Sequence, residues 1–202
     1  MKIGPKYKIA RRLGSAVFDK TMSPKFAASE ARHAKNAKSK KRKQVSEYGQ
    51  QLMEKQKIRY TYGISEKQFS NAVKEATAMK GVSASVVLHE LLERRLDNVI
   101  YRFGLAPLRA MSRQMVSHGH FLVNGKKTTV PSYRTSPGDK ISVKDGSKGS
   151  VMFAELKSKL DKYSYPAWLT FDPGKMEGMI KEKPGKDGSM LDFARVLEFY
   201  SR

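Results

Sequence analysis

Arg109 and Arg113 stand one helical turn apart, and Arg94, Arg95 and Arg102 shortly precede them. Guanidinium groups in such numbers suit phosphate, because each is planar, permanently charged and able to present paired N–H donors to two oxygens. Residues 94–145, which carry them, read as two short basic helices running straight into a Gly-turn β-hairpin. That is a compact layout for gripping folded RNA.

Holding those cations outward requires an apolar inner face. Leu96, Val99, Ile100 and Phe103 recur at three and four residues and form one side of a helix, leaving Arg94, Arg95 and Arg102 to point elsewhere. Gly104 is expected to stop it. Pro107 suits the first turn of a second helix, with Leu108, Met111, Met115 and Val116 on its buried side and Gly119 at its end. Arg109 and Arg113 then share the outer face. His120–Val123 has strand character, Asn124-Gly125 fits a type I′ turn, and Lys126–Val130 is expected to return as the partner strand. Pro137-Gly138-Asp139 is a further turn, leading into Ile141-Ser142-Val143 as another strand.

His118 and His120, two apart near a strand start, raise the question of a metal. With no cysteine in the chain and only His33 and His89 elsewhere, a helix end and an RNA contact explain the pair better. No metal or cofactor is expected, and disulfides are excluded. Met111 and Met115 read as core. Arg95 with Asp97 is either an internal ion pair or an RNA contact, Asp97 taking the structural part.

Forty Lys and Arg against 19 Asp and Glu leave a net charge of +21 on 202 residues. A charge of about 2 to 8 suffices for solubility, so this much self-repulsion favours a polyanionic partner. The surplus is uneven. Residues 1–46 carry 14 basic and 2 acidic groups, residues 47–146 carry 16 and 9, and residues 147–202 carry 10 and 8. No run approaches the roughly 20 apolar residues of a membrane span, and MKIGPKYKIARRLG lacks the apolar stretch of a signal peptide.

Residues 1–46 show no sustained hydrophobic period, and Arg32 to Lys43 hold seven cations and no acid. Such a block repels itself and is expected to order on its partner, with a helical turn or two around Ile9, Leu13, Val17 and Phe18. From Glu47 to about Tyr60 the chain is helix-compatible, with Tyr48, Leu52, Gln56 and Arg59 in register. Ser65 with Gln68 makes a capping box, after which Phe69, Ala72, Val73, Ala76 and Met79 trace a helix face up to Gly81. Ser85 is expected to cap a helix bearing Leu88, Leu91 and Leu92. Past Val143, Phe153, Leu156 and Leu160 have helical spacing; Trp168, Leu169 and Phe171 suggest a strand followed by exposed Gly-Lys turns. Ser189 with Asp192 is expected to open a last helix through Phe193, Val196, Leu197 and Tyr200.

The pattern Arg95-Leu96-Asp97, Ser112-Arg113-Gln114, Ser117-His118 and Val123-Asn124-Gly125, followed by Pro131-Ser132 and Pro137-Gly138-Asp139, resembles the S4 RNA-binding module. The flanks narrow the match. Ser46-Glu47-Tyr48-Gly49, Glu54-Lys55-Gln56-Lys57 with Tyr62-Gly63, and Glu66-Lys67-Gln68-Phe69 resemble the helical domain of the bacterial-type small-subunit ribosomal protein S4 family. Pro166–Leu169, Gly174-Lys175-Met176-Glu177-Gly178 and the ending Glu198-Phe199-Tyr200-Ser201-Arg202 resemble its carboxyl-terminal part.

The resemblance implies an α+β fold: a helical domain with an inserted S4 module, whose helices pack on a small antiparallel sheet, and a basic, partly extended amino-terminal arm. Residues 1–46 would be the arm, 47–92 with 186–202 the helical domain, and 93–185 the module with its carboxyl-terminal extension. It further implies a structural constituent of the small ribosomal subunit rather than an enzyme. Such a protein binds a helical junction in the five-prime domain of 16S rRNA, nucleates 30S assembly, and contributes to translational accuracy and to the mRNA entrance.

The implied module contacts are Arg94, Arg95, Arg109, Arg113, Gln114, Ser117, His118 and Lys126. Lys55, Lys57, Arg59 and Lys67 are those of the helical domain, and Arg11, Arg12, Lys40, Lys41, Arg42 and Lys43 those of the arm. The last four would lie at the mRNA entrance beside protein uS3. Lys175, Met176, Glu177, Phe193, Leu197 and Tyr200 would face protein uS5. The compartment implied is the bacterial cytoplasm, with a plastid as the alternative.

The chain departs from the family pattern in three places. Many members carry metal-binding cysteines in the arm, where Ile9, Arg12, Phe26 and Ala31 stand here. Pro107-Leu108 replaces the Ser or Thr that usually precedes the Arg, removing a hydroxyl cap. A Gly-Gln-His-Gly-like turn gives way to the Lys-rich run. A rival reading, a pseudouridine synthase targeted by the module, needs a catalytic Asp in a substantial separate domain. Fewer than sixty residues follow Val143, and Asp145, Asp161 and Asp172 lie in turn-like or polar contexts. A ribosome-rescue or heat-shock binder built on a lone module does not fit the long flanking match.

Overall fold

Serine side chains cap two of the helices in the amino-terminal half at their starts, those beginning at Glu47 and Glu66. The computed structural model describes residues 3–14, 17–37, 45–154, 156, 160, 163–185 and 191–201. Packing divides the chain into two units, Met1–Lys80 with Met190–Arg202, and Gly81–Ser189.

The first unit holds α1 (Lys6–Leu13), a 3₁₀ turn (Asp19–Met22), α2 (Pro24–Ala37), α3 (Glu47–Tyr62) and α4 (Glu66–Ala78), with the carboxyl-terminal helix Phe193–Tyr200. Ser46 Oγ accepts from Gly49 N at 3.3 Å to open α3, and the expected capping box of Ser65 and Gln68 opens α4. Helix α4 buries Phe69, Ala72, Val73 and Ala76, while Met79 caps its end and is exposed.

Helix α3 forms as expected but on a different face. It buries Gln51, Ile58 and Tyr62, and Tyr48 is half exposed against Phe199. The cause is double coverage: α1 packs on one part of the helix and the carboxyl-terminal helix along another, so no single apolar stripe is needed. The carboxyl-terminal helix is capped by Asp192, whose Oδ1 accepts from Arg195 N at 3.1 Å. Ser189, expected to open it, lies outside the described residues.

Residues 6–37 are largely helical rather than extended. Tyr7 and Phe26 meet at 5.0 Å, and Phe18 reaches Tyr60 of α3 at 5.7 Å. With Ala10 they form a small core. Its members come from separate short elements, a pattern that no periodicity within one segment reveals. Around Ile9, Arg12 and Phe26, packing of aromatic rings ties these elements together. The run 38–44 lies outside the described residues.

The second unit comprises α5 (Ala84–Glu93), α6 (Leu96–Arg102), α7 (Arg109–Ser117), β1 (Phe121–Val123), β2 (Lys126–Lys127), β3 (Lys140–Val143), α8 (Asp145–Lys148), α9 (Val151–Ala154), β4 (Leu169–Asp172) and β5 (Glu177–Ile180). In this division helix α5 falls in the second unit, where Glu93 and Arg94 at its end are bonded to α6 and to Thr135. It begins after Ser83, not Ser85.

The strands form one antiparallel sheet in the order β2-β1-β3-β5-β4. The expected type I′ turn is present, with φ of 50° at Asn124 and 79° at Gly125. The returning strand is only Lys126–Lys127, and residues 177–180, expected as exposed turns, form the interior strand β5 between β3 and β4. Helices α6 and α7 pack together. Leu96, Ile100, Phe103, Met115 and Val116 share one core with Phe121, Ile141, Val143, Phe153, Trp168 and Phe171. Pro107 and Leu108 precede α7 instead of entering it, and Leu108 is exposed.

Candidate nucleic-acid interface

Two buried carboxylates organise the cations of the second unit. Asp97, in the first turn of α6, is 3% exposed. It accepts from Arg95 Nε at 3.1 Å and Nη2 at 3.0 Å, and from Arg113 Nε at 2.8 Å and Nη2 at 2.6 Å. Buried Ser112 donates to the Asp97 carbonyl at 2.6 Å, locking α7 to α6. Glu93, 1% exposed, accepts from Asn98 Nδ2 at 2.8 Å and from Arg102 Nε and Nη2 at 2.9 and 2.8 Å. Asn98 Oδ1 in turn accepts from Arg109 Nε at 2.8 Å, and the Arg109 guanidinium lies 4.2 Å from the Tyr101 ring centroid.

A carboxylate taken out of water costs several kcal/mol unless paired and hydrogen-bonded. These two therefore fix the cations around them. Arg95 is buried in an ion pair with Asp97, one of the two readings left open by sequence. Arg94 bonds Glu90 at 2.8 Å, the Thr135 carbonyl at 2.6 Å and Ser136 at 3.1 Å, stapling the loop before β3 to α5. Arg113 keeps 30% of its side chain exposed while held by Asp97. Asn98 and Tyr101 orient Arg109 from the neighbouring helix, in a protein whose α7 lacks a side-chain cap.

Gln114, Ser117 and His118 are exposed along and beyond α7, and Lys126 at the hairpin. Lys127, which the sequence reading passed over, is also exposed, and its chain crosses Gly119 so closely that a Cβ there would collide with Cε. The His118 and His120 rings lie 6.1 Å apart at 28°, and His120 Nδ1 is 2.9 Å from Ser147 Oγ. Among the described residues, no group of three or more His, Cys, Asp or Glu side chains is placed to hold a metal.

The first unit distributes its candidates differently. Lys55 Nζ and Arg59 Nη1 reach Glu66 at 2.8 and 2.7 Å, and the Tyr200 hydroxyl donates to the same carboxylate at 2.8 Å. Lys55 also sits 4.4 Å from the Phe199 ring centroid. Lys55 and Arg59 thus join α3, α4 and the carboxyl-terminal helix. Lys57 pairs with Glu54 at 2.5 Å. Lys67 and Arg12 are exposed, and Arg11 donates to Ser29 at 2.7 Å. Lys40, Lys41, Arg42 and Lys43 lie outside the described residues.

The expected protein-facing set also divides. Met176 belongs to the core, at 9% exposure, because β5 begins beside it and its carbonyl accepts from Val143 N at 3.1 Å. Lys175 is exposed and Glu177 half-buried. Phe193 is buried, Leu197 and Tyr200 half-buried, and all three belong to the first unit rather than to that of residues 175–177.

Burial pushes the Glu66 carboxyl up, but the hydrogen bonds from Lys55, Tyr200 and Arg59 outweigh it and hold its pKa below the usual value. Burial, then Glu66, pushes the Tyr200 hydroxyl above the ordinary tyrosine range. A depressed folded pKa gives stabilisation that is complete above the unfolded value, about 4.3, and lost as pH falls through the folded one. Amide exchange in Phe193–Tyr200 should therefore accelerate selectively in acid below that value. Glu66→Gln should accelerate it at neutral pH and flatten the acid response. Protection in the variant equal to that of the wild-type protein at both pH values would remove Glu66 as the anchor.

Residues 94–141 match the family model of the S4 domain, and residues 1–93 that of the ribosomal protein S4/S9 N-terminal domain. The α6–α7 pair and its hairpin are thus an S4 domain, an RNA-binding class. Small ribosomal subunit protein uS4 of Brevibacillus brevis is 42% identical over 202 residues, covering 98% of each chain. That of Streptococcus pneumoniae strain Hungary19A-6 is 43% identical over 206 aligned positions, covering 98% of this chain and 97% of its own. The chain belongs to the uS4 family of small ribosomal subunit proteins.

Proposed function

We propose that the chain is a structural, rRNA-binding constituent of the small ribosomal subunit that performs no chemistry of its own. The observation that carries this reading is the anchoring of Arg113 by buried Asp97 on the surface of an S4 domain. A cation already held in one orientation loses less rotamer entropy on binding than a mobile one. Phosphate contacts of this kind fix register, while RNA helices are read through shape and sugar hydroxyls. The residues after Val143 supply β4, β5, Phe153 and Trp168 to the same core, which argues against a separate catalytic domain.

The RNA in this reading is a helical junction in the five-prime domain of 16S rRNA, where binding nucleates 30S assembly. Proteins uS5 and uS3 are the neighbours, and the interface with uS5 contributes to accuracy. Lys40 to Lys43 meet mRNA at the entrance, since a cationic run suits a strand tracked without sequence readout. The compartment is a bacterial cytoplasm. Chemical footprinting of 16S rRNA tests this placement: protection outside the five-prime domain alone would contradict it.

Affinity for a five-prime-domain fragment should fall with salt at a log–log slope of about −0.7 to −0.9 per phosphate neutralised. Arg113→Ala, which leaves Asp97 its Arg95 partner, should weaken binding about tenfold or more, as expected for a charged hydrogen bond. The slope should become shallower. A folded variant with wild-type affinity would remove Arg113 from the interface.

A further inference from the structure

Tyr163 is an exposed aromatic that is held on two sides. The residue keeps 40% exposure, yet its ring lies against Gly104, where a Cβ would stand 3.4 Å from both Cδ2 and Cε2. Gly104 has φ of 72°, so the turn ending α6 brings bare backbone beneath the ring. Tyr165 meets Tyr163 edge-on, with centroids 5.2 Å apart at 62°. Tyr165 is itself fixed, its hydroxyl donating to the Leu160 carbonyl at 3.1 Å and its ring packing 5.9 Å from Phe171.

The surroundings are cationic. The Gly104 N–H over which the ring lies donates to the Tyr101 carbonyl at 2.9 Å, and the charges of Arg102 and Arg109 lower the pKa of the Tyr163 hydroxyl that burial and Tyr101 raise. Arg102 is committed to Glu93. Arg109 is set by Asn98 and the Tyr101 ring. A pre-positioned aromatic face next to an oriented guanidinium is the arrangement that takes a splayed base, because every base has a face to stack and every nucleotide a phosphate. A protein partner would call for a wider apolar patch than one ring bordered by arginines.

We infer that Tyr163 is a stacking platform for an unpaired base of the RNA bound by the S4 domain, with Arg109 facing the same nucleotide's phosphate. This rests on the rRNA-binding reading proposed above. The site joins the α6–α7 turn, which is within the S4 domain, to the segment before β4, where Tyr163 lies outside the residues 94–141 matched as that domain. The region after the hairpin would then contact RNA as well as complete the sheet.

The test uses the full-length protein and a five-prime-domain fragment of 16S rRNA. Tyr163→Ala should weaken binding about five- to hundredfold, the range for loss of one stacked base. Tyr163→Phe, which keeps the ring, should stay within about twofold. Tyr163→Leu, which fills the space over Gly104 without a π face, should melt like the Phe variant and bind like the Ala variant. The salt slope should not change across the series, since no charge is removed. Wild-type affinity in all three variants would overturn the platform while leaving RNA binding intact. Failure of the wild-type protein to bind the fragment would overturn both. An Ala variant that binds RNA normally but no longer recruits a neighbouring subunit protein would reassign the surface and overturn the inference.

Discussion

Asp97→Ala should destabilise the second unit by about 3–5 kcal/mol, the usual effect of removing one partner from a buried ion pair. It does so although it deletes an acidic group from a chain of net charge +21. Long-range repulsion would favour the change, but screening limits that benefit to about 10 Å at ordinary ionic strength. The local loss is larger. Arg95 is 8% exposed and Asp97 is its ion-pair partner, and Arg113 would lose the carboxylate that orients it. Trp168, the chain's one tryptophan, is buried in the core of the same unit and reports its unfolding by fluorescence. The denaturant midpoint read by Trp168 should fall, while amide exchange in α3 and α4 should be spared. Asp97→Asn, nearly isosteric, should keep more of the fold yet lose preference for the rRNA fragment over a non-specific homopolymer. An Asp97→Ala protein within about 1 kcal/mol of wild type would show that the pairs are not what organises this surface.

The module was legible in sequence because its signals are local. The apolar face of α6, the Asn124-Gly125 turn and the Ser65–Gln68 box each depend on residues a few positions apart. The cations were harder to assign. Arg95, Arg113, Lys55 and Arg59 were all expected at RNA, and the structure gives each a carboxylate partner in Asp97 or Glu66. For Arg59 and Glu66, or Asp97 and Arg113, only the packing of separate helices makes the pair. Sequence shows a surplus of charge, whereas pairing is a property of the fold. The packing within the arm was less legible for a related reason. Tyr7, Phe18, Phe26 and Tyr60 are too dispersed to show a period, yet they converge on one cluster. Strand β5 was missed because Gly174, Gly178 and the neighbouring lysine read as turn. Gly178 is instead a strand residue kept small by what lies over it.

That close approach leads to a further large effect. Strand β5 is interior to the sheet, Gly178 pairing with Ile141 on one side and Phe171 on the other. A Cβ on it would fall 2.5 Å from Phe103 Cζ, 2.7 Å from Phe103 Cε1 and 2.8 Å from Phe171 Cδ2. Both rings are buried, Phe103 completely, and they pack on each other with centroids 5.1 Å apart. Gly→Ala at a backbone position that tolerates it gains about 0.4–1 kcal/mol by restricting the unfolded chain. Overpacking a closed core costs about 1–3 kcal/mol. The second term wins here, because Phe103 is fully enclosed and packed on Phe171. Gly178→Ala should therefore lower the Trp168 transition, and Gly178→Val should lower it further. Gly185→Ala, with no atom within 4 Å of its Cβ, is the control and should be neutral. Phe103→Leu leaves a cavity when made alone, but it shortens the side chain nearest the new methyl. The double variant should lose less stability than the two single losses together, since residues in contact do not add. Strict additivity would place the strain elsewhere and show that the space above β5 is not what holds position 178 to glycine.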